Sequence, residues 1–176
     1  MKNNELELLN WSGWPLPSEY LEEIGRIATL WASLENFLNI CIGKLAGFNE
    51  MQDPKPFILV NHSSFPQRLD MLSSLCSILE NEYPALAAYE TTIAKLRSAQ
   101  KSRNKYLHNA IGPSEDGKSF EMAQGSARGK LRASVDTATI SDLRRATVEI
   151  DQAFRSLYQL VLGRELSPAW ERKNFS

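Results

Sequence analysis

Only two cysteines, two histidines, nine glycines and eight prolines occur in the 176 residues, and each scarcity removes a class of function. There is no CxxC, no HExxH and no run of carboxylates at EF-hand spacing, so neither a metal centre nor a metal cofactor is expected. Cys41 and Cys76 each sit inside an apolar helical pattern, where a free thiol behaves as a small hydrophobe, and both read as structural. GxGxxG and GxxxxGKS/T are absent, which removes the Gly-rich phosphate loops of nucleotide-dependent enzymes. Charge interrupts every apolar run well before the roughly 18 residues that a membrane span needs, so no membrane partner is expected. The opening MKNNELELLN carries two Glu and no apolar leader core, and a cytoplasmic chain is expected.

What remains is 43% hydrophobic and 23% charged with a formal net charge of -1, the profile of one globular domain large enough for a real core. From Ser18 to Gly47, the residues Leu21, Ile24, Ala28, Trp31, Leu34, Leu38, Ile42 and Leu45 recur at spacings of three and four and predict a long first helix. Pro17 and Ser18 mark its start and Gly47 its end. A Pro-containing connection and the short apolar run 57–60 follow. Ser63 or Ser64 can cap a second helix, written by Phe65, Leu69, Leu72, Leu75, Cys76 and Leu79 and ending near Asn81.

Pro84 suits the first turn of a third helix, with Leu86, Tyr89, Ile93, Leu96, Leu107 and Ala110 on one stripe and a stop at Gly112-Pro113. Helical period then vanishes. PSEDGKS reads as a turn, and SFEMA and KLRASV on either side of QGSARG read as two short strands of a hairpin or an ordered loop. Thr139 with Asp142 has the spacing of a capping box, and Leu143, Ala146, Ile150, Phe154, Leu157 and Val161 predict a last helix ended by Gly163. The expected architecture is all-α: a bundle of four to five helices with a small β insertion before the last. Residues 1–17 form an N-terminal extension, 18–163 the helical domain and 164–176 a C-terminal tail. Trp11, Trp14 and Trp170 are expected to dock these ends, because tryptophan buries a large apolar area.

Charge is unevenly spread. Before residue 51 there are seven Glu against three basic residues, whereas from Thr91 to Ser114 no acid occurs beside Lys95, Arg97, Lys101, Arg103 and Lys105. Such a patch is either a solvated face or an attractor of polyanions. At about 100° per residue Arg103 lies inside the stripe of Leu96 and Leu107 and is expected to be partly buried, which calls for an acceptor. Glu35, inside the first helix's stripe, is the simplest partner. His108 lies about 140° further round, at the edge of the stripe and one turn after Asn104. Lys101 and Lys105 read as solvated cations or as part of that attracting patch. Tyr106 reads as a packing residue, and His62 as a loop or capping residue with a second acid or base as the alternative.

The segment Arg103-Asn104-Lys105-Tyr106-Leu107-His108-Asn109 near the end of a bundle helix resembles the R-x(4–6)-H motif of the HEPN superfamily (higher eukaryotes and prokaryotes nucleotide-binding). Many members carry a polar residue, often Asn, directly after the Arg, as Asn104 does here. A long W-x-x-L-E helix first, Trp31 to Glu35, with the motif on a later helix, is also similar in order. The resemblance spans about residues 18–163, and its specific part is the short motif.

That resemblance implies a metal-independent endoribonuclease using the RNA 2′-hydroxyl as nucleophile. His108 would transfer protons and Arg103 would stabilise the phosphorane, with Asn104 orienting the histidine or donating to the phosphate, Glu35 holding Arg103 in its rotamer, and Lys101 and Lys105 as candidates for RNA backbone contact. It further implies a homodimer, because one chain supplies one motif histidine, and a restraining antitoxin or regulatory protein. The alternatives are a non-catalytic HEPN-like module that binds a nucleotide, RNA or protein, and an unrelated bundle in which Arg103 and His108 are structural.

Overall fold

A computed structural model describes residues 16–48, 53–114, 119–126 and 132–172. Its elements in chain order are α1 (Ser18–Leu45), α2 (Lys55–Val60), α3 (Phe65–Leu79), a 3-10 turn (Pro84–Ala88), α4 (Tyr89–Leu107), β1 (Ala110–Pro113), β2 (Phe120–Ser126), β3 (Arg132–Ala138), α5 (Ile140–Leu162) and a 3-10 turn (Ala169–Glu171). The expected helical bundle with a β insertion is present. The sheet has one strand more than the hairpin read from the sequence, because the third helix stops at Leu107 and the chain from Ala110 enters the sheet. Trp11 and Trp14 lie outside the described residues.

Start and stop signals acted where the local chemistry placed them. The Ser64 side chain accepts from the Gln67 N–H while the Gln67 side chain takes up the Ser64 N–H, and Thr139 and Asp142 form the same reciprocal cap on α5. Gly163 closes α5 in the left-handed conformation at φ 65°, which a side chain rarely adopts. The core is built from Ile27, Leu34 and Leu38 of α1, Leu69 and Leu72 of α3, Leu96 of α4, and Leu143, Ile150 and Leu157 of α5, all fully buried. Burying each such side chain contributes about 1.5–3 kcal/mol before the entropy of ordering it is subtracted. The α1 stripe is as expected from Trp31 through Leu34 and Leu38 to Ile42, but its first turns are rotated: Tyr20, Glu23 and Ile27 face inward, while Leu21 is 40% exposed.

Side-chain pairs fix the helix directions. Lys95 meets Ser156 and Ser102 meets Glu149, so α4 and α5 are antiparallel. Glu23 meets Thr147 and Phe37 stacks on Phe154, so α1 and α5 run the same way. The antiparallel sheet, in the order β1-β2-β3, pairs Ala110 with Ala123 and Phe120 with Ala138. Phe120 and Met122, two apart on one face of β2, are both fully buried. The Phe120 ring lies 5.5 Å from Tyr20 and 6.4 Å from Tyr106, which anchors the sheet to the start of α1 and the end of α4. Tyr106 is thus a packing residue, as its place in the sequence indicates.

The tail is held by a buried charge. Asp151 of α5 is fully buried and accepts from Arg155 Nε (2.9 Å), Arg172 Nη2 (3.0 Å) and the Ala169 N–H (3.1 Å). The expectation that Trp170 docks by burial is corrected: the ring is 56% exposed, and the Asp151 carboxylate does the anchoring. Among the described residues no helix is long and apolar enough to cross a membrane.

Candidate nucleic-acid-cleaving site

Arg103 and Asn104 belong to the last turn of α4, and His108 is its C-cap residue, with φ -115° and its N–H bonded to the Asn104 carbonyl at 3.2 Å. The helix thus ends at the histidine rather than at Gly112-Pro113. Ending there brings His108, five residues after Arg103, back against it: Nη1 of Arg103 contacts Nε2 of His108 and also donates to Asn104 Oδ1 at 3.1 Å. A guanidinium has donors only, so in this contact Nε2 takes the acceptor's part. His108 is exposed, while Arg103, Asn104 and Lys105 are half-buried. Asn109, next along, donates from Nδ2 to the Lys105 carbonyl at 2.8 Å and closes the helix end.

The expected Glu35–Arg103 pair does not form. Glu35 accepts instead from Arg68 Nη2 of α3 at 2.8 Å, and Arg68 Nη1 donates to Asn39 at 3.0 Å. Arg103 lies with its guanidinium carbon 5.6 Å from the centroid of the Trp31 ring. Trp31, one turn before Glu35 on the same face of α1, lies between Phe65 of α3 and Arg103 of α4, while the Glu35 carboxylate is taken by Arg68 of α3. Arg68 is the residue that sequence reasoning missed. Its signal was a cation one turn after the α3 cap, flanking the Phe65, Leu69 and Leu72 stripe, where a carboxylate on the neighbouring helix finds it.

The five cations of α4 have separate fates. Lys95 donates to Ser156 at 2.9 Å and Arg97 pairs with Asp70 at 2.9 Å, which ties both into the bundle. Lys101 is exposed, and Lys105 holds its ammonium 5.7 Å from the Tyr106 ring. Together with Arg103 they leave the C-terminal half of α4 positive beside His108. Ser102 bonds Glu149 of α5, so the nearest acid on that side is already engaged. His62 sits exposed in the turn between α2 and α3, and its candidacy as a second acid or base gains no contact with Arg103 or His108.

Neither of the two cavities formed by the described residues of α1, α2, α3, α5 and the tail is lined by Arg103, Asn104 or His108. They measure about 640 Å³ and 600 Å³, the first between α1, α2 and α3 beside Pro56 and Met71 and the second between α1, α5 and the tail beside Leu30 and Trp170. His108 is the exposed member of the group, at the end of α4. Among the described residues no group of three His, Cys, Asp or Glu side chains could hold a metal ion. Both cysteines are buried, and burial pushes the Cys76 thiol up to about 11 and raises that of Cys41 further, which keeps them protonated.

Comparison with known proteins finds no match for this chain among family models, curated proteins or solved structures.

Proposed function

We propose that the protein is a metal-independent endoribonuclease of the HEPN kind that cleaves RNA by attack of the 2′-hydroxyl on the adjacent phosphodiester. The observation carrying this reading is the direct contact between the Arg103 guanidinium and the His108 imidazole at the end of α4, with Asn104 on the same nitrogen. An RNA phosphate entering there attracts Arg103, whose charge and fork of donors suit a phosphorane, and Nε2 of His108 is released as a base. The 2′-OH gives its proton to that nitrogen, the 2′-oxygen bonds to phosphorus, and the P–O5′ bond breaks. A 2′,3′-cyclic phosphate and a 5′-hydroxyl result.

The departing 5′-oxygen needs a proton from a second group. A two-fold homodimer facing the ends of two α4 helices would supply it from His108 of the partner subunit, acting as an imidazolium released from its own Arg103. Lys101 and Lys105 then flank the strand as backbone contacts. A cytoplasmic toxin or defence component restrained by an antitoxin or regulatory protein is the setting this activity fits.

A second reading has its own observation. Arg103 occupies the lone pair that a catalytic His108 must keep free, which fits a HEPN-like module that binds a nucleotide, RNA or protein without cutting. Incubation with mixed RNA in EDTA separates the two. Cyclic-phosphate ends that disappear in Arg103→Ala and His108→Ala favour cleavage. Binding that weakens steeply with salt, without new ends, favours the module. A monomer indifferent to RNA, in which Arg103→Ala only lowers stability, overturns both.

A further inference from the structure

With Glu35 committed to Arg68, something else must orient Arg103. Among the described residues, of its three guanidinium nitrogens only Nη1 is engaged, by Asn104 and His108, and Nε is buried with no partner. Two contacts through one nitrogen leave the plane of the group free to pivot about that nitrogen. The face of Trp31 removes this freedom: at 5.6 Å from its centroid the guanidinium carbon lies within the roughly 6 Å reach of a cation–π contact, and the ring is 4% exposed and therefore desolvated.

The ring is itself braced. Trp31 packs on Phe65 at 4.6 Å, the guanidinium carbon of Arg68 lies 5.8 Å from the Phe65 centroid, and Arg68 is fastened to Glu35 and Asn39 of α1. α1 and α3 are thereby clamped at the level where α4 delivers Arg103. We propose that Trp31 is a positioning residue, holding the Arg103 guanidinium in the one orientation that engages His108 Nε2, with Arg68 and Glu35 acting through the Trp31–Phe65 pair. The inference rests on the Arg103–His108 contact that carries the proposed nuclease, but its test is read on the imidazole and does not need RNA.

The ¹⁵N resonances of the His108 ring are recorded in the full chain for wild type, Arg103→Ala, Trp31→Leu and Trp31→Phe, with far-UV circular dichroism confirming that each variant is folded. Wild type is expected to show Nε2 as an unprotonated acceptor, shifted from its position in Arg103→Ala. Trp31→Leu should move the ring signals most of the way to that position, and Trp31→Phe, which keeps a ring, only partway. Signals of His62 should stay in place throughout. A folded Trp31→Leu with wild-type His108 signals overturns the proposal, as does identity between wild type and Arg103→Ala. If Trp31→Leu does not fold, Trp31→Phe decides: displacement supports the proposal and coincidence sinks it. Where wild type cleaves RNA, Trp31→Phe should lower kcat several-fold with KM little changed. A wild type that never cleaves removes the nuclease while the imidazole spectra still judge Trp31.

Discussion

Nη1 of Arg103 is hydrogen-bonded to Nε2 of His108 across the end of α4, five residues apart and on one chain. Because arginine only donates, Nε2 takes the acceptor's part in the contact. A phosphate is the kind of group that can separate the pair by outbidding imidazole for the guanidinium.

Arg103→Lys keeps the charge but not the planar fork, so it cannot lie over Trp31 while bridging Asn104 and His108. Single-turnover cleavage of a short RNA is expected to slow by about 10²- to 10³-fold, the usual effect of losing one transition-state donor. His108→Ala should cost about 10²- to 10⁴-fold, the range for removing a general base. Equal rates in wild type and His108→Ala would remove the histidine from the mechanism.

Asp151→Asn leaves Arg155 and Arg172 facing a neutral amide in a fully buried position. Breaking a buried ionic network from one side costs about 3–5 kcal/mol. Chemical denaturation should show a loss of that order, and limited proteolysis should cut the tail near Ala169 faster than in wild type.

Gly43→Ala should destabilise the fold although alanine is the better helix former. A Cβ at Gly43 would stand 2.5 Å from Pro56 Cγ and 2.6 Å from Pro56 Cβ, atoms of a rigid ring at the start of α2. The propensity gain is about 1 kcal/mol, against about 1–3 kcal/mol for overpacking, so the net expectation is a lowered Tm. A raised Tm would mean that α2 can move aside at little cost.

Hydrogen bonds from the Thr139 N–H and hydroxyl hold the Asp142 carboxyl below the usual carboxylate range, and Arg145 adds to the effect. A carboxylate held lower in the folded than in the unfolded chain stabilises the fold fully above its unfolded pKa, and that stabilisation is lost as pH falls through the folded value. Asp142→Asn should therefore lower stability by about 0.5 kcal/mol at pH 7, the scale of a charge in a helix's first turn. The difference should close at strongly acid pH. A gap that stayed constant with pH would assign the effect to packing instead.

Local patterns were readable because they depend on residues three or four apart. The α3 and α5 stripes, the Ser64 and Thr139 caps and the Gly163 stop follow from such spacings, and the loss of that period after Pro113 marked the stretch that forms the β2–β3 hairpin. The end of α4 did not, since Leu107 and Ala110 extend the helical stripe on paper; the pairing of Ala110 with Ala123 competes for that backbone and wins. Arg103, Asn104 and His108 could be singled out from type and spacing, whereas Arg68 could not, because the acid it answers lies 33 residues earlier on another helix.

The chain's own order of side chains determined its helices, its caps and the presence of an Arg and a His near one helix end, all set by short-range backbone and side-chain sterics. Only the packed bundle decided that Glu35 answers Arg68, that Arg103 rests on Trp31 and that Asp151 holds the tail. An ion pair is chosen by which helix faces meet and by what water they exclude. That choice exists only once α1, α3, α4 and α5 have come together.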